Sequence, residues 1–305
     1  MSEWSAWQPL AGGLTLSDAV LAETLDGGQA FRWHRQADGT WIGVWGECVA
    51  HVQREATGRI TWRAPGPLAG RVAAALPVYL GLDRNFAALT DTLPWRSDPH
   101  VAHCLAAFPG LRILRQPFGE TLLGFLCSAT KQIVQIKQMI ALLAERHGAP
   151  VAGHVGVNTI HRLPTWRELA LIPEPDLRAC QLGFRARYIA ETAQWIAARP
   201  GWLEETEAAP YPLAKERLCL LPGVGEKVAD CVLLFGAGRL EAFPVDTWIL
   251  KALARRYGLA DWRPAQVAHF GRAHFGPLAG LAQQFLFAYE RAAARLDQSQ
   301  AHGKK

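Results

Sequence analysis

The chain has 305 residues, half of them hydrophobic, which is globular composition with enough length for two or three packed units. Its net charge of +5 and pI of about 9.0 are compatible with a polyanionic partner but do not require one. No apolar run is long enough to span a bilayer, and the N-terminus lacks the basic start and apolar stretch of a secretory signal. The six cysteines form no CxxC pair and no metal-ligand cluster. We therefore expect an intracellular protein with reduced thiols and no zinc or iron–sulfur site.

Strand signals fill residues 28–63, which are rich in aromatic and β-branched side chains. A turn at 37–40 separates FRWHRQ from WIGVWGECVAHVQ, and a second turn near 56–58 precedes RITW. This pattern predicts a small antiparallel sheet, with 76–82 as a further strand candidate.

From about residue 84 the strand pattern gives way to helical periods joined by Pro/Gly loops. The sequence therefore predicts an α+β protein, with an antiparallel sheet domain over 1–83 and a mainly helical region over 84–305. Thr165 and Glu168 fit a helix capping box. The predicted helices are 98–108, 117–129, 132–147, 165–171, 174–181, 185–199, 211–220, 226–237, 247–257, 264–273 and 277–296.

The stretch LPGVGEKVADC lies inside a predicted helix–turn–helix at about 211–237. Gly223 and Gly225 would permit backbone geometry and close approach that side chains would block. Free N–H groups at such a turn and at the following helix end suit a phosphate oxygen, a contact that positions nucleic acid without reading its sequence. A simple connector between two packed helices fits the spacing equally well.

Lys227 stands in the first turn of the second helix, where the helix dipole disfavours a positive charge. Burial would disfavour the charge further, and a neutral amine is a nucleophile that can form a Schiff base. The alternative is a solvated surface lysine, which is the commoner situation. Cys231 shares a helix face with Lys227, although a small core residue is the usual explanation for such a cysteine.

Asp246 precedes a further predicted helix in the segment FPVDTWILKALARRYG. Aspartate is a favoured N-cap, and that structural role alone would explain its presence. A carboxylate fixed at a cap also has a defined direction. Near a sugar, it could stabilise positive charge that develops as a glycosidic bond breaks.

LPGVGEKVADC followed by FPVD resembles the helix-hairpin-helix DNA glycosylase superfamily, and within it the 8-oxoguanine DNA glycosylase family. The similarity runs over most of the chain and keeps the order of the family's segments. The segments that carry it are LDGGQAFRWH (25–34), WIGVWGECV (41–49), ETLLGFLCSATKQI (120–133), LGFRARYI (182–189), LCLLPGVGEKVADC (218–231) and LAQQFLF (281–287).

The resemblance implies roles for individual residues. Lys227 matches the lysine that attacks the sugar C1′ atom and expels the base, and Asp246 matches the aspartate that supports that step. Gly28 matches the glycine whose carbonyl accepts the N7 hydrogen that 8-oxoguanine has and guanine lacks.

Three more residues match the pocket that holds the flipped base. Gln283 matches the glutamine on the Watson–Crick edge, Phe287 the aromatic ring stacked on the base, and Cys231 the residue on its other side. Gln283 and Phe287 are four residues apart on one predicted helix and therefore share a face, as a single pocket wall requires.

The hairpin carries two further implied roles. The main chain at Gly223 and Gly225 would contact DNA phosphates. Cys219, Leu221 and Val224 match positions whose backbone carbonyls hold a structural monovalent cation, sodium or potassium. No cofactor is required for the reaction that the resemblance implies.

The chain departs from the family pattern where the family reads the base opposite the lesion. Thr130 stands in place of an asparagine that fills the space left by the flipped base, and Gln135 in place of a cytosine-reading arginine. Arg185 matches a second cytosine-reading arginine, and Trp248 replaces a pocket histidine. Glutamine lacks arginine's charge and planar fork, so we expect a weaker preference for cytosine.

The resemblance implies a bifunctional DNA glycosylase and abasic-site lyase that flips 8-oxoguanine from duplex DNA and nicks the strand by β-elimination through a Schiff base. Two alternatives are an alkylated-base glycosylase of the same superfamily and a non-catalytic helix-hairpin-helix DNA-binding protein. Lys227 argues against both. We expect a monomer that binds double-stranded DNA containing an oxidised purine and makes no membrane contact, located in the cytoplasm or nucleoid of a bacterium or the nucleus of a eukaryote.

Overall fold

The computed structural model describes residues 4–151 and 159–302. Five strands form one sheet in the described part of the chain: β1 (Gln8–Pro9), β2 (Trp33–Arg35), β3 (Trp41–Trp45), β4 (Cys48–Arg54) and β5 (Ile60–Arg63). The strand order is β1-β5-β4-β3-β2, and every neighbouring pair is antiparallel. The antiparallel sheet predicted within residues 28–63 is therefore confirmed, with β1 as an additional edge strand.

Close packing fixes the register of the sheet. Gly43 in β3 lies opposite Trp33 in β2, and a Cβ atom at Gly43 would come within 2.4 Å of the Trp33 ring. Trp33 is completely buried and donates its indole hydrogen to the Tyr79 hydroxyl at 3.0 Å. The sheet is thereby anchored to the helix that ends at Tyr79.

The strand candidate at 76–82 is wrong, because most of that segment belongs to the helix Ala69–Tyr79 and to the turn after it. Val72 and Leu76, four residues apart, are completely buried on one face of this helix. A short apolar run with β-branched and aromatic residues does not distinguish a strand from a buried helix.

Fifteen α-helices lie in the described residues. They are α1 (Asp18–Asp26), α2 (Ala69–Tyr79), α3 (Phe86–Asp91), α4 (Pro99–Ala107), α5 (Phe118–Leu126), α6 (Ile133–His147), α7 (Trp166–Leu169), α8 (Glu174–Leu177), α9 (Arg185–Ala197), α10 (Trp202–Ala208), α11 (Tyr211–Cys219), α12 (Glu226–Phe235), α13 (Thr247–Tyr257), α14 (Pro264–Phe275) and α15 (Ala279–His302). The sequence pattern does not predict α1, α3 or α10, each of nine residues or fewer.

The capping box at the start of α7 is confirmed. The Thr165 hydroxyl accepts from the Glu168 amide at 3.2 Å, and the Glu168 carboxylate accepts from the Thr165 amide at 2.7 Å. Arg162 also pairs with Glu168, and its hydrogen bond is the main reason that the Glu168 pKa falls to about 2.

Two helices of the helical region carry four of the residues singled out by the sequence: Lys227 and Cys231 lie on α12, and Gln283 and Phe287 lie on α15. All residues of α12 from 228 to 235 are buried, and α12 packs against α5, where the Phe125 and Phe235 rings stack at 5.6 Å. The first half of α15 is buried against α13 and α4. No helix in the described ranges is long and apolar enough to cross a membrane.

Candidate active site

Two helices and a short loop form the hairpin, defined here as α11, residues 220–225 and α12. Gly223 has φ +78°, and a Cβ atom there would lie 2.8 Å from the Tyr188 ring, so this position requires glycine. The Thr192 hydroxyl braces the loop by donating to the Pro222 carbonyl at 3.2 Å. Gly225 has room for a side chain in the free protein, because no atom of the described residues lies within 4 Å of the position that a Cβ would occupy.

A buried ion pair joins the two helices of the hairpin. Lys215 on α11 lies 3.1 Å from the Asp230 carboxylate on α12, and the Tyr211 hydroxyl donates to the same carboxylate at 2.7 Å. Burial raises the pKa of Asp230, and both partners oppose that rise. This cluster fixes the angle at which the first turn of α12 leaves the loop.

Lys227 lies in that first turn with its side chain partly buried. Its ammonium nitrogen is 3.5 Å from the Ser128 hydroxyl oxygen and 5.3 Å from the centre of the Phe125 ring. The aromatic face and the hydroxyl hold the amine inside the site. The alternative of a fully solvated surface lysine therefore does not apply.

Cys231 lies one helical turn beyond Lys227 and is buried. Burial raises the pKa of its thiol to about 11, although the charge of Lys227 and a hydrogen bond with it act in the opposite direction. Burial thus keeps the Cys231 thiol neutral at physiological pH, and a neutral thiol is a poor nucleophile.

Asp246 is the N-cap of α13, as its place in the sequence predicts, and its Oδ1 atom accepts from the Ile249 amide at 2.9 Å. Burial raises the pKa of the carboxyl group. The cap hydrogen bond and the charges of Lys227 and Arg291 oppose the rise. The cap hydrogen bond thus fixes the direction of the Asp246 carboxylate, and the positive charge of Lys227 stabilises its negative charge.

Gln283 on α15 points to the segment that leads into Asp246. Its amide nitrogen donates to the Pro244 carbonyl at 3.2 Å, which assigns the orientation of the side-chain amide. The Oε1 atom is buried and has no hydrogen-bond partner among the described residues. A buried acceptor of this kind is costly unless a ligand supplies a donor.

Gly28 lies against Ile133 and Phe287. Its φ is +107°, and a Cβ atom there would be 3.2 Å from Ile133 Cδ1 and 3.7 Å from Phe287 Cε1. The backbone conformation therefore favours glycine, and a side chain would also press against Ile133. Phe287 lies one turn after Gln283 on α15, so the two share a face as the sequence predicts.

Thr130 has φ +54°, a left-handed conformation that is unfavourable for a β-branched residue. Arg185 holds it there by donating to the Thr130 hydroxyl at 3.0 Å and to the Ala129 carbonyl. Arg185 is only 3% exposed. The structure therefore places this arginine beneath the Thr130 turn rather than on the surface.

Gln135 and Trp248 are exposed at the edge of the site. The Gln135 side chain accepts from the Gln132 amide at 3.2 Å and so caps α6. Trp248 lies in the first turn of α13, two residues after the Asp246 cap. Gln135 thus has a local structural role, and the exposed surfaces of both residues are open to a partner.

The three residues of the implied cation site lie at the end of α11 and in the loop. Leu221 and Val224 have buried side chains, and the Leu221 carbonyl accepts from the Val224 amide at 3.1 Å. Leu221 and Val224 have no ligand atoms in their side chains, so only their main-chain oxygens could bind an ion. In the described residues, no cluster of three or more His, Cys, Asp or Glu side chains could hold a metal.

A chain of contacts brings the predicted catalytic and base-pocket residues together. The charge of Lys227 lowers the pKa values of Cys231 and Asp246, and Gln283 donates a hydrogen bond to the carbonyl of Pro244, two residues before Asp246. Sequence reasoning missed Ser128 and Arg291, whose partners are remote in the chain. The four-residue spacing of Gln283, Phe287 and Arg291 along α15 is the one signal that could have indicated Arg291.

The chain matches two protein families. Residues 13–122 match the family described as 8-oxoguanine DNA glycosylase, N-terminal domain, and residues 123–272 match the HhH-GPD superfamily base excision DNA repair protein family. N-glycosylase/DNA lyase OGG1 of Arabidopsis thaliana is 30% identical over 300 residues, covering 93% of this chain and 80% of that protein.

Solved structures agree with the sequence comparisons. An 8-oxoguanine glycosylase/lyase of Clostridium acetobutylicum, in complex with double-stranded DNA containing cytosine opposite 8-oxoguanine, is 31% identical with a TM-score of 0.83. The match covers 96% of this chain and all of that one. The 3-methyladenine DNA-glycosylase of Archaeoglobus fulgidus has a TM-score of 0.73 at 20% identity, covering 94% of this chain and 99% of that one, a similarity of fold alone.

Proposed function

The chain belongs to the 8-oxoguanine DNA glycosylase family, and we propose that it excises 8-oxoguanine from duplex DNA with Lys227 as nucleophile. Membership identifies it as a DNA glycosylase with lyase activity. The main support for Lys227 as the nucleophile is the position of its side-chain nitrogen, which lies close to the Ser128 hydroxyl and to the Phe125 ring. The charge of Lys227 also acts on the Asp246 carboxylate.

The reaction proceeds by nucleophilic substitution at the flipped nucleotide. The Lys227 ammonium first loses a proton to solvent. The lone pair of the neutral amine then forms a bond to C1′ as the C1′–N9 bond breaks, and the electron pair of that bond leaves with the base, which takes up a proton. The Asp246 carboxylate stabilises the positive charge that develops on the sugar. A proton then passes from the nitrogen to O4′ as the C1′–O4′ bond breaks, and the nitrogen lone pair forms the C1′=N double bond of the protonated Schiff base.

Strand cleavage follows from the Schiff base. The iminium withdraws electrons from C2′, a proton leaves C2′, and the electron pair expels the 3′ phosphate as a double bond forms between C2′ and C3′. Water finally hydrolyses the imine and regenerates the amine. Cys231 takes no part in these bond changes, because burial keeps its thiol protonated.

We assign recognition of 8-oxoguanine to the base pocket, which consists of Gly28, Gln283 and Phe287. Gln283 Oε1 is a buried acceptor without a partner, and the Watson–Crick edge of 8-oxoguanine presents N–H donors. The Gly28 carbonyl accepts the N7 hydrogen that is specific to the oxidised base, and Phe287 offers an aromatic face for stacking. Main-chain groups at Gly223 and Gly225 contact phosphate, which positions the duplex.

The carbonyls of Cys219, Leu221 and Val224 are proposed to hold a structural sodium or potassium ion. The Leu221 oxygen retains a free lone pair after accepting from Val224, and buried side chains fix the main chain at both residues. Such an ion would keep the loop amides directed toward phosphate. Exchange of the buffer cation for tetramethylammonium should then weaken duplex binding.

The test of the proposed function is a single-turnover assay on duplexes that carry 8-oxoguanine opposite cytosine. We expect release of the free base, a nicked strand, and a covalent adduct after borohydride addition. A duplex with unmodified guanine is the matched control and should remain intact. Release of an alkylated base alone would favour the related alkylated-base glycosylases, and binding without any release would favour a non-catalytic DNA-binding protein.

A further inference from the structure

Arg291 connects two parts of the proposed base pocket, the Gly27–Gly28 turn near the start of the chain and the Phe287 ring near its end. It lies on α15 one turn after Phe287, and its guanidinium carbon is 5.0 Å from the centre of the Phe287 ring. The same guanidinium donates to the Gly27 carbonyl and lies 2.9 Å from the Glu23 carboxylate. Gly27 directly precedes Gly28, so one side chain contacts both the aromatic wall and the glycine turn.

The end of α1 explains why this contact forms. Gly27 is the C-cap of α1, and the last turn of that helix contains no basic residue of its own. The final carbonyls of a helix carry partial negative charge, which a cation stabilises by hydrogen bonding. Arg291 supplies this cation from α15, and its side chain is only 9% exposed.

We propose that Arg291 is a positioning residue for recognition of the damaged base, holding the Gly27–Gly28 turn at a fixed distance from the Phe287 ring. The inference rests on the proposed function. A carbonyl can recognise a hydrogen at N7 only if its position is held to a fraction of an ångström while the ring stacks. One guanidinium nitrogen, Nη1, donates both to the Gly27 carbonyl and to the Glu23 carboxylate, while the planar group lies over the Phe287 ring.

The contact also reaches the catalytic carboxylate. The charge of Arg291 acts against the burial that raises the pKa of Asp246. If this charge effect were the main role of Arg291, removing the charge would slow the excision step and the lyase step alike. The positioning effect acts on excision alone, because a preformed abasic site has no base to recognise.

The experiment compares two reactions in the same variant. Arg291→Met keeps much of the side-chain volume but removes the guanidinium, and Arg291→Lys keeps the charge without the fork. We expect Arg291→Met to slow single-turnover excision of 8-oxoguanine by roughly tenfold to 100-fold, the range for a misplaced contact. Borohydride trapping on a duplex with a preformed abasic site should stay near the parent rate.

Arg291→Lys should fall between the parent and Arg291→Met in excision, and it decides the question if Arg291→Met does not fold. Arg295→Gln is the matched control, because Arg295 is exposed one turn further along α15 and its removal subtracts the same charge. An equal loss of excision and trapping, or no loss of either, would overturn the inference. If the parent itself released no 8-oxoguanine, the proposed function would fail and this inference with it.

Discussion

The Lys227 ammonium nitrogen lies 3.5 Å from the hydroxyl oxygen of Ser128, and that hydroxyl in turn donates to the Phe125 carbonyl at 2.7 Å. The second hydrogen bond fixes the direction of the Ser128 lone pairs. A lone pair is thus presented to the amine, on the side of Lys227 that faces α5. The proposed nucleophile is therefore held by a residue just after a neighbouring helix as well as by its own hairpin.

Ser128→Ala should therefore slow base excision. The expected decrease is about fivefold, equivalent to about 1 kcal/mol for one lost hydrogen bond. Borohydride trapping at an abasic site should slow by a similar factor, because both steps need the same amine. Single-turnover rates measure the effect, and Ser97→Ala, at an exposed turn, is the control that should change neither rate.

Asp246→Asn separates the charge of this residue from its capping role. Asparagine also caps helices, so the free energy of unfolding should fall by about 1 kcal/mol or less. Excision should fall by about 100-fold or more, because the charge opposite the developing cation is lost. Thermal denaturation and single-turnover excision measure the two effects. Parallel losses of stability and activity would instead show that Asp246 is only a helix cap.

The pH dependence of excision should report the same carboxylate. Its pKa is raised by burial, and the active form is the anion, so the rate should fall with decreasing pH through a pKa above that of an ordinary aspartate. The pH dependence of stability runs in the opposite direction to that of the excision rate. The folded state binds this proton more tightly than the unfolded state, so the contribution of Asp246 to the free energy of unfolding decreases as pH rises through the folded pKa. The acidic limb should disappear in Asp246→Asn. An unchanged limb in that variant would assign it to another group.

The two hairpin glycines should respond differently to alanine. Gly223→Ala places a Cβ atom against Tyr188 at positive φ, so it should cost about 1–3 kcal/mol of stability and also weaken duplex binding. Gly225→Ala has space in the free protein and should leave the melting temperature unchanged. It should still weaken binding if phosphate approaches the main chain there. Unchanged duplex affinity in Gly225→Ala would remove this residue from the DNA contact.

Discrimination of the base opposite the lesion should be weaker than the family pattern implies. A good bidentate contact from arginine contributes about 1–3 kcal/mol, and Gln135 lacks the charge and the fork. Arg185 is bound beneath Thr130, so it would have to exchange those hydrogen bonds to reach a base. Single-turnover excision on four duplexes that differ only in the opposite base measures the preference.

Two variants separate the contributions to this preference. Gln135→Ala should reduce the preference for cytosine opposite the lesion. Gln135→Glu keeps a side-chain acceptor that caps α6, so it controls for loss of the helix cap. A strong cytosine preference that survives Gln135→Ala would contradict a reading role for this position. A strong preference that is lost in Arg185→Ala would show that one arginine is sufficient.

Local spacing predicted the parts of the site that depend on neighbours in the chain. Asp246 caps α13, and Gln283 and Phe287 share one face of α15, because caps and helical faces are set within a few residues. Ser128 and Arg291 were missed because their contacts join residues that are 99 and 264 positions apart. The inward position of Arg185 also depends on a remote turn, so its basic and aromatic surroundings in FRARY gave no indication of burial.

The nucleophilic role of Lys227 is tested most directly by mapping the covalent adduct. The enzyme is incubated with a duplex containing 8-oxoguanine, reduced with borohydride and digested, and the modified peptide is identified by mass spectrometry. We predict that the sugar is attached to Lys227, that Lys227→Gln forms no adduct and excises no base while still binding the duplex, and that Lys251→Gln, at an exposed position on α13, traps normally. An adduct on another residue, or excision by Lys227→Gln at the parent rate, would contradict the account.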